Sequence, residues 1–127
     1  MFQDPRAIHE DASGVLWVGT LYDLVRWDRD AGTFKRYRSN PVEAFTMDVW
    51  ALHDDRSGTL WVGTGHGLDR FNPARETFTS YRHDPEDPAS LGRGAVIAIH
   101  EDRRGRLWIG TVNGLQQMDR ETGAFKP

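Results

Sequence analysis

Apolar residues come in short runs of at most five, cut by Gly, Asp, Asn, Ser and Pro. No stretch keeps the i, i+3, i+4, i+7 spacing of an amphipathic helix over two or three turns. Residues 49–81 show the pattern most clearly. Val49 to His53 reads as a first strand (A) with apolar residues on both faces of its middle, as in a strand covered on both sides. Asp54-Asp55-Arg56-Ser57-Gly58 is a tight turn, because Asp and Ser bond their own backbone and Gly accepts positive φ. Leu60 to Thr64 is strand B. Gly65-His66-Gly67 turns into strand C, Leu68 to Phe71. Asn72 to Glu76 turns again into strand D, Thr77 to Tyr81. A connection from Arg82 to Gly94 follows.

The same pattern occurs three times. Leu60-Trp61-Val62-Gly63-Thr64 has counterparts in Leu16-Trp17-Val18-Gly19-Thr20 and Leu107-Trp108-Ile109-Gly110-Thr111, and the tryptophans lie 44 and 47 residues apart. Ile8-His9-Glu10-Asp11, Leu52-His53-Asp54-Asp55 and Ile99-His100-Glu101-Asp102 precede them. Leu24, Leu68 and Leu115 follow, then Trp27, Phe71 and Met118, then Phe34, Phe78 and Phe125. A period of this length, with short strands and frequent turns, is that of one β-propeller blade per repeat. The predicted fold is all-β, one segment over 1–127, with three four-stranded antiparallel blades at about 5–41, 49–85 and 96–127. Strand alternation puts Trp61 and Gly63 on one face and Leu60 and Val62 on the other. The glycines Gly19, Gly63 and Gly110 are expected to leave room for a side chain of the adjacent blade. Trp17, Trp61 and Trp108, fixed in strand B, are expected in the packing between blades rather than as a sugar-stacking set.

These residues resemble the two-component regulator propeller repeat. That family runs E-D-x-x-G-x-L-W-[IV]-G-T, then G-L-x-R-[FYW]-[DN]. Copy two carries it as Asp54 to Thr64 and Gly67-Leu68-Asp69-Arg70-Phe71-Asn72. Tyr81-Arg82-His83-Asp84-Pro85 with Ser90-Leu91 is similar to the family linker. Copy three departs at Gln117 and Met118, and copy one at Asp23, where Gly is usual. The resemblance implies a sensor: such repeats build large propellers in the extracytoplasmic half of bacterial hybrid histidine kinases, some sensing oligosaccharides. It therefore implies a periplasmic or otherwise extracytoplasmic location and a role in signal transduction. It transfers no ligand, because fold does not give function.

Propellers close with four to eight blades, and this chain has three. Completion by the remaining blades of a longer chain, self-association (two copies giving six blades) and an open arc are the arrangements left. The open arc would leave two apolar blade faces in water, the kind of patch that marks an interface. Pro5 stands where Val49 and Val96 stand, so the first strand A is expected to be truncated. Lys126-Pro127 ends the chain inside the last strand D.

Composition narrows the function. Apolar residues are 38% and 13 glycines add to them, which fits a folded domain. No apolar run approaches the 18 or so residues of a bilayer span, and Met1 to Gly14 shows no signal peptide. There is no cysteine, so thiol chemistry is excluded. A net charge of −3 argues against nucleic acid. Neither a G-x-S-x-G elbow nor a phosphate loop appears, and the acidic pairs belong to the repeated turns, so no catalytic residue, cofactor or metal is assigned. His9, His53 and His100 sit on separate blades about a sheet spacing apart, too far to share one zinc ion. Asp28 to Gly32 lacks the acidic twelfth residue of a calcium loop, having Ser39 there.

The informative positions are those where the repeated frame changes. Between strands B and C lie Tyr22, His66 and Asn113: a ring, an imidazole and an amide, suited to a polar or sugar-like ligand on loops held by a rigid scaffold. Trp50, Met47 and Arg93, near the entrances to strand A, are candidates for added stacking and charge. The expected function is a non-enzymatic ligand-binding sensor segment. A protein–protein interaction scaffold is the first alternative, and a propeller-type lyase or glycan hydrolase the second.

Overall fold

A computed structural model describes residues 4–40, 46–55 and 57–127. The expected end of the first blade at residue 41 and Arg56 of the second A–B turn lie outside them. Among the described residues the secondary structure is all strand: β1 (Pro5–Glu10), β2 (Leu16–Thr20), β3 (Leu24–Asp28), β4 (Thr33–Tyr37), β5 (Val49–Asp54), β6 (Leu60–Thr64), β7 (Gly67–Asn72), β8 (Thr77–Tyr81), β9 (Val96–Glu101), β10 (Leu107–Thr111), β11 (Gly114–Met118) and β12 (Phe125–Lys126). They form three four-stranded sheets, β1 to β4, β5 to β8 and β9 to β12, each an antiparallel meander. The last strand is short, as expected.

The first strand A is not truncated. β1 has the same length as β5, and Pro5 faces Thr20 just as Val49 faces Thr64. Proline is tolerated there because it is the first residue of the strand, where a missing N–H costs the ladder little. Strand A is also less covered than a two-sided apolar run implies. Val49 and Val96 are buried, whereas Trp50 and Ile97 are exposed.

One aspartate organises each A–B turn. Asp11 Oδ1 accepts the Ser13 and Val15 N–H groups, each at 3.0 Å, and its Oδ2 accepts the Trp17 indole N–H at 2.8 Å. Asp55 does the same for Ser57, Thr59 and Trp61, and Asp102 for Arg104, Arg106 and Trp108. The turn carboxylate therefore orients the tryptophan that the next blade packs on. Arg26 lies over Trp17 at 5.9 Å and Arg70 over Trp61 at 5.2 Å. Where copy three has Gln117, Arg106 takes that place at 5.7 Å from Trp108.

The core lies between blades, not within them. In the first junction Trp17, Leu24 and Tyr37 of blade one meet Val49, Val62 and Phe71 of blade two. In the second, Trp61 and Leu68 of blade two meet Val96, Ile109, Met118 and Phe125. The strand-B glycines make this approach possible. A Cβ on Gly19 would stand 2.8 Å from the Val49 Cβ, and one on Gly63 would stand 2.7 Å from the Val96 carbonyl oxygen. Trp17 and Trp61 are buried. Trp108, whose outward face has no neighbouring blade, is half-buried.

Tyr37 closes the first junction. Its hydroxyl donates to Glu76 Oε2 of blade two at 2.5 Å. Burial, helped by Glu76, pushes the phenol up to about 12. A raised folded value keeps its stabilising contribution below the unfolded value near 10 and loses it as pH climbs toward 12. Stability measured by urea unfolding is expected to fall over that window, and Tyr37→Phe to flatten the fall. An unchanged alkaline limb in the variant would contradict this.

Candidate ligand-binding site

The B–C loops and the segments that lead into strand A gather at one end of the blades. Their backbones are tied together. Leu21 N–H donates to Asp4 O at 3.3 Å, Met47 N–H to Tyr22 O at 3.3 Å, Asp48 N–H to Leu21 O at 2.8 Å, Gly65 N–H to Asp48 O at 2.8 Å, and Val112 N–H to Ala95 O at 3.1 Å. The loop of blade one thus holds the entrance to blade two. Thr20, Thr64 and Thr111 set the loop shape, each accepting an N–H from the residue two places on, Tyr22, His66 or Asn113. Gly67 is required after His66, because a Cβ there would meet Tyr81 O at 2.5 Å. Copy one replaces it with Asp23, whose carboxylate instead accepts the Thr20 hydroxyl at 2.8 Å.

Each residue read from the sequence has a defined place. The Tyr22 ring is partly exposed. His66 is exposed and bonds Thr46 O through Nε2 at 2.7 Å. Asn113 is exposed and donates through Nδ2 to Arg93 O at 2.9 Å. The Arg93 guanidinium reaches His83 Nε2 at 3.4 Å. The three loop side chains are not brought together: those of His66 and Asn113 are tied to the segments entering a first strand, and Tyr22 is tied to one through its backbone carbonyl. Met47 is fully buried in the first junction and offers no surface to a ligand.

Trp50 is where the sequence reading gains most. β1, β5 and β9 each slip register near their start, between Pro5 and Ala7, Val49 and Ala51, and Val96 and Ala98. The residues at these bulges are Arg6, Trp50 and Ile97. A bulge re-aims a side chain out of the ladder. Trp50 is 45% exposed, and the Arg6 guanidinium lies 4.4 Å from its ring centroid. Arg6 also pairs with Asp48. Asp48 has φ of 56°, the left-handed region, and a Cβ on Gly65 would stand 3.1 Å from its own Cβ. The sequence reading missed Arg6 and Asp48. The signal was available: Arg6, Trp50 and Ile97 share one repeat position and differ in every copy, the same criterion that singled out Tyr22, His66 and Asn113.

Two cavities lie elsewhere. One of about 520 Å³ lies between β3, β4 and the C–D turn of blade two, lined by Arg26, Lys35, Tyr37 and Glu76. One of about 430 Å³ lies at the outer edge of blade three, lined by Gln117, Arg120 and Lys126. Neither includes a residue of the loop end.

Two of the recurring histidines face carboxylates of the next blade. His9 pairs with Asp54, and His53 with Glu101 at 3.5 Å, each across a junction.

The sequence model of the two component regulator propeller matches residues 44–66 and 90–113, which hold the Leu-Trp-[Val/Ile]-Gly-Thr motifs of copies two and three. No curated protein matches the chain. Among solved structures, the extracellular domain of BT3049, a protein of B. thetaiotaomicron described as a hybrid two component system, is similar over 100% of this chain, with 25% identity and a TM-score of 0.85. The extracellular domain of BT4673 from B. thetaiotaomicron, described as a one component system in one structure and as a hybrid two component system in another, is similar over 96%, with 20% identity and a TM-score of 0.80. The chain spans 18% of the BT3049 chain and 16% of the BT4673 chain. It is a partial propeller of the type found in such extracellular domains.

Proposed function

We propose that this chain is a segment of a sensor propeller that works outside the cytoplasm and binds a polar, sugar-like ligand at its loop end. The observation that carries the reading is the exposed Trp50 ring at a strand-A bulge, stacked by Arg6 and flanked by Asp48. An exposed aromatic face beside hydrogen-bonding charges is the surface a sugar ring stacks on while its hydroxyls are bonded. Tyr22, His66, Asn113 and Arg93 stand at the same end and add further polar contacts. The role is recognition rather than turnover, since the acidic residues of the repeats are engaged in turns and junctions. The likeness to extracellular domains of two-component systems supports both the location and the signalling role.

Titration of neutral and uronate-bearing oligosaccharides, followed by tryptophan fluorescence and calorimetry, tests the reading. Binding is expected, and Trp50→Ala is expected to weaken it roughly tenfold or more, on the scale of one lost aromatic hot spot. The combined Tyr22→Ala, His66→Ala and Asn113→Ala variant is expected to weaken it further. Unchanged affinity in both variants would remove this end of the blades from the site.

A further inference from the structure

We propose that the cavity at the first junction binds a small molecule through its carboxylate, in competition with Glu76. The inference goes beyond the loop-end reading and does not depend on it. It rests on side chains that meet inside the chain, between blades one and two.

Blade one supplies a cradle of donors. Arg26 on β3 and Lys35 on β4 stand directly opposite each other. Like charges so placed destabilise a sheet unless an anion lies between them. Arg26 lies over Trp17, and Lys35 Nζ is 5.4 Å from the Tyr37 ring centroid. The anion comes from the C–D turn of blade two. Glu76 Oε2 accepts the Tyr37 hydroxyl at 2.5 Å and Lys35 Nζ at 2.6 Å. The bonds from Lys35 and Tyr37, with the charge of Arg26 added, hold the Glu76 carboxyl below its usual value.

The backbone gives a separate indication. Glu76 takes the place of Gly32 and Gly123 in the three C–D turns, and it shares their positive φ, 57° against 68° and 77°. That left-handed region suits glycine and strains a residue with a Cβ. Two copies close the turn with glycine, so the turn itself does not need a carboxylate. What the glutamate adds is an occupant for the cradle. The cradle is also no property of the repeat. At the second junction the positions of Arg26, Lys35 and Glu76 hold Arg70, Thr79 and Gly123. There the Tyr81 ring lies against the glycine, where a Cβ would stand 3.2 Å from Cε1, and Arg70 reaches Arg120 O at 3.5 Å.

The cavity has room for more than a carboxylate. Its volume of about 520 Å³ falls inside the range of roughly 300–1,000 Å³ usual for small-molecule sites. Pro73 and Ala74 give it an apolar wall. Asp28 lines it too, with Oδ1 engaged by the Asp30 and Ala31 N–H groups of its own turn at 3.1 and 3.2 Å. The Lys35 and Glu76 side chains are 62% and 40% exposed, so a ligand reaches them from solvent. An arriving carboxylate meets the donors that Glu76 uses, and release of Glu76 frees its turn. The tethered glutamate competes at an effective concentration on the order of millimolar, so a ligand displaces it through added contacts with the cavity walls.

Titration of acetate and of citrate into the 127-residue chain, against sodium chloride at matched ionic strength, is the test, read by NMR shifts of Lys35 and Tyr37 and by melting temperature. Glu76→Gly removes the competitor and installs the residue that the other two turns carry. Glu76→Gln keeps the side chain and removes its charge. Both variants are expected to bind acetate with a midpoint roughly tenfold or more below that of the parent. Citrate is expected to bind the parent and to shift the Tyr37 resonances as Glu76 leaves. Lys35→Ala in the Glu76→Gly background is expected to weaken acetate binding roughly tenfold, the scale of a lost charge-assisted bond. A response to acetate no larger than to chloride in both variants overturns the proposal. So does an equal midpoint in parent and variants, or a Lys35→Ala change without effect. A response to sulfate with none to acetate overturns the assignment to a carboxylate. Trp50→Ala is expected to leave these titrations unchanged, so failure here is distinguishable from failure of the loop-end site.

Discussion

Gly63→Val is expected to force the second and third blades apart. A Cβ at position 63 stands 2.7 Å from Val96 O, 2.8 Å from Val96 Cγ1 and 3.2 Å from Ala51 Cβ. The nearest obstacle is a backbone oxygen at the start of β9, which no change of side-chain rotamer moves. Relief therefore requires the junction that buries Trp61, Leu68, Ile109 and Phe125 to open. Overpacking alone costs about 1–3 kcal/mol, and loosening the junction adds to it. The expected loss is about 3 kcal/mol or more, a fall in melting temperature on the order of 10 °C. Gly110→Val in dilute protein is the control. Its Cβ meets only Ala98 Cβ at 3.2 Å, and its stability is expected to stay near that of the parent. Urea and thermal unfolding of the two variants check this. Equal losses in both would show that the notch, and not the neighbouring blade, sets the requirement for glycine.

The repeat makes that notch readable in the sequence. Gly63 alternates with Trp61 along one strand, and period-two alternation leaves little choice about which face each occupies. The blades, the turns and the junction role of the tryptophans follow from the same periodicity. Two readings failed for local reasons. Pro5 was expected to truncate β1, but the register of a strand is set by its partner along its whole length, and the missing N–H falls at its first residue. Met47 was offered as a site residue because it stands near an entrance to strand A. Proximity in sequence does not say which way the chain turns, and Met47 turns into the core. The cluster of Arg6, Asp48 and Trp50 was only partly visible. Arg6 and Asp48 belong to different blades, and their meeting depends on bulges that a strict alternation pattern does not show. The pairing of His9 with Asp54 is a contact of the same kind: the residues recur in sequence, but only stacked blades bring one copy's histidine to the next copy's acid.

Asp55→Ala is expected to cost as much as the glycine substitution, by a different route. Asp55 is buried, and five donors converge on it. Its Oδ1 accepts the Ser57 and Thr59 N–H groups at 2.9 and 3.2 Å and the Ser57 hydroxyl at 2.6 Å. Its Oδ2 accepts the Trp61 indole at 2.7 Å and Arg120 Nη1 at 3.3 Å. Removing the carboxylate leaves the Trp61 N–H and one arm of Arg120 without their acceptor at the junction, a loss of about 3–5 kcal/mol for a buried pair broken on one side. The acid response follows with a fixed sign. Burial alone would raise the Asp55 value, but the bonds from Ser57, Trp61 and Thr59 outweigh it and hold the carboxyl below 3.8. A lowered folded value contributes stability above the unfolded value and loses it as pH falls through the folded one. Asp11, Asp102 and Asp119 are lowered as well and share that slope, so the parent alone does not isolate Asp55. The difference between parent and Asp55→Asn does. Measured by urea unfolding from neutral pH down through about pH 3, it is expected to be full above about pH 4 and to shrink below it. A difference independent of pH would mean that the turn is held by the shape of its backbone rather than by the charge at its centre.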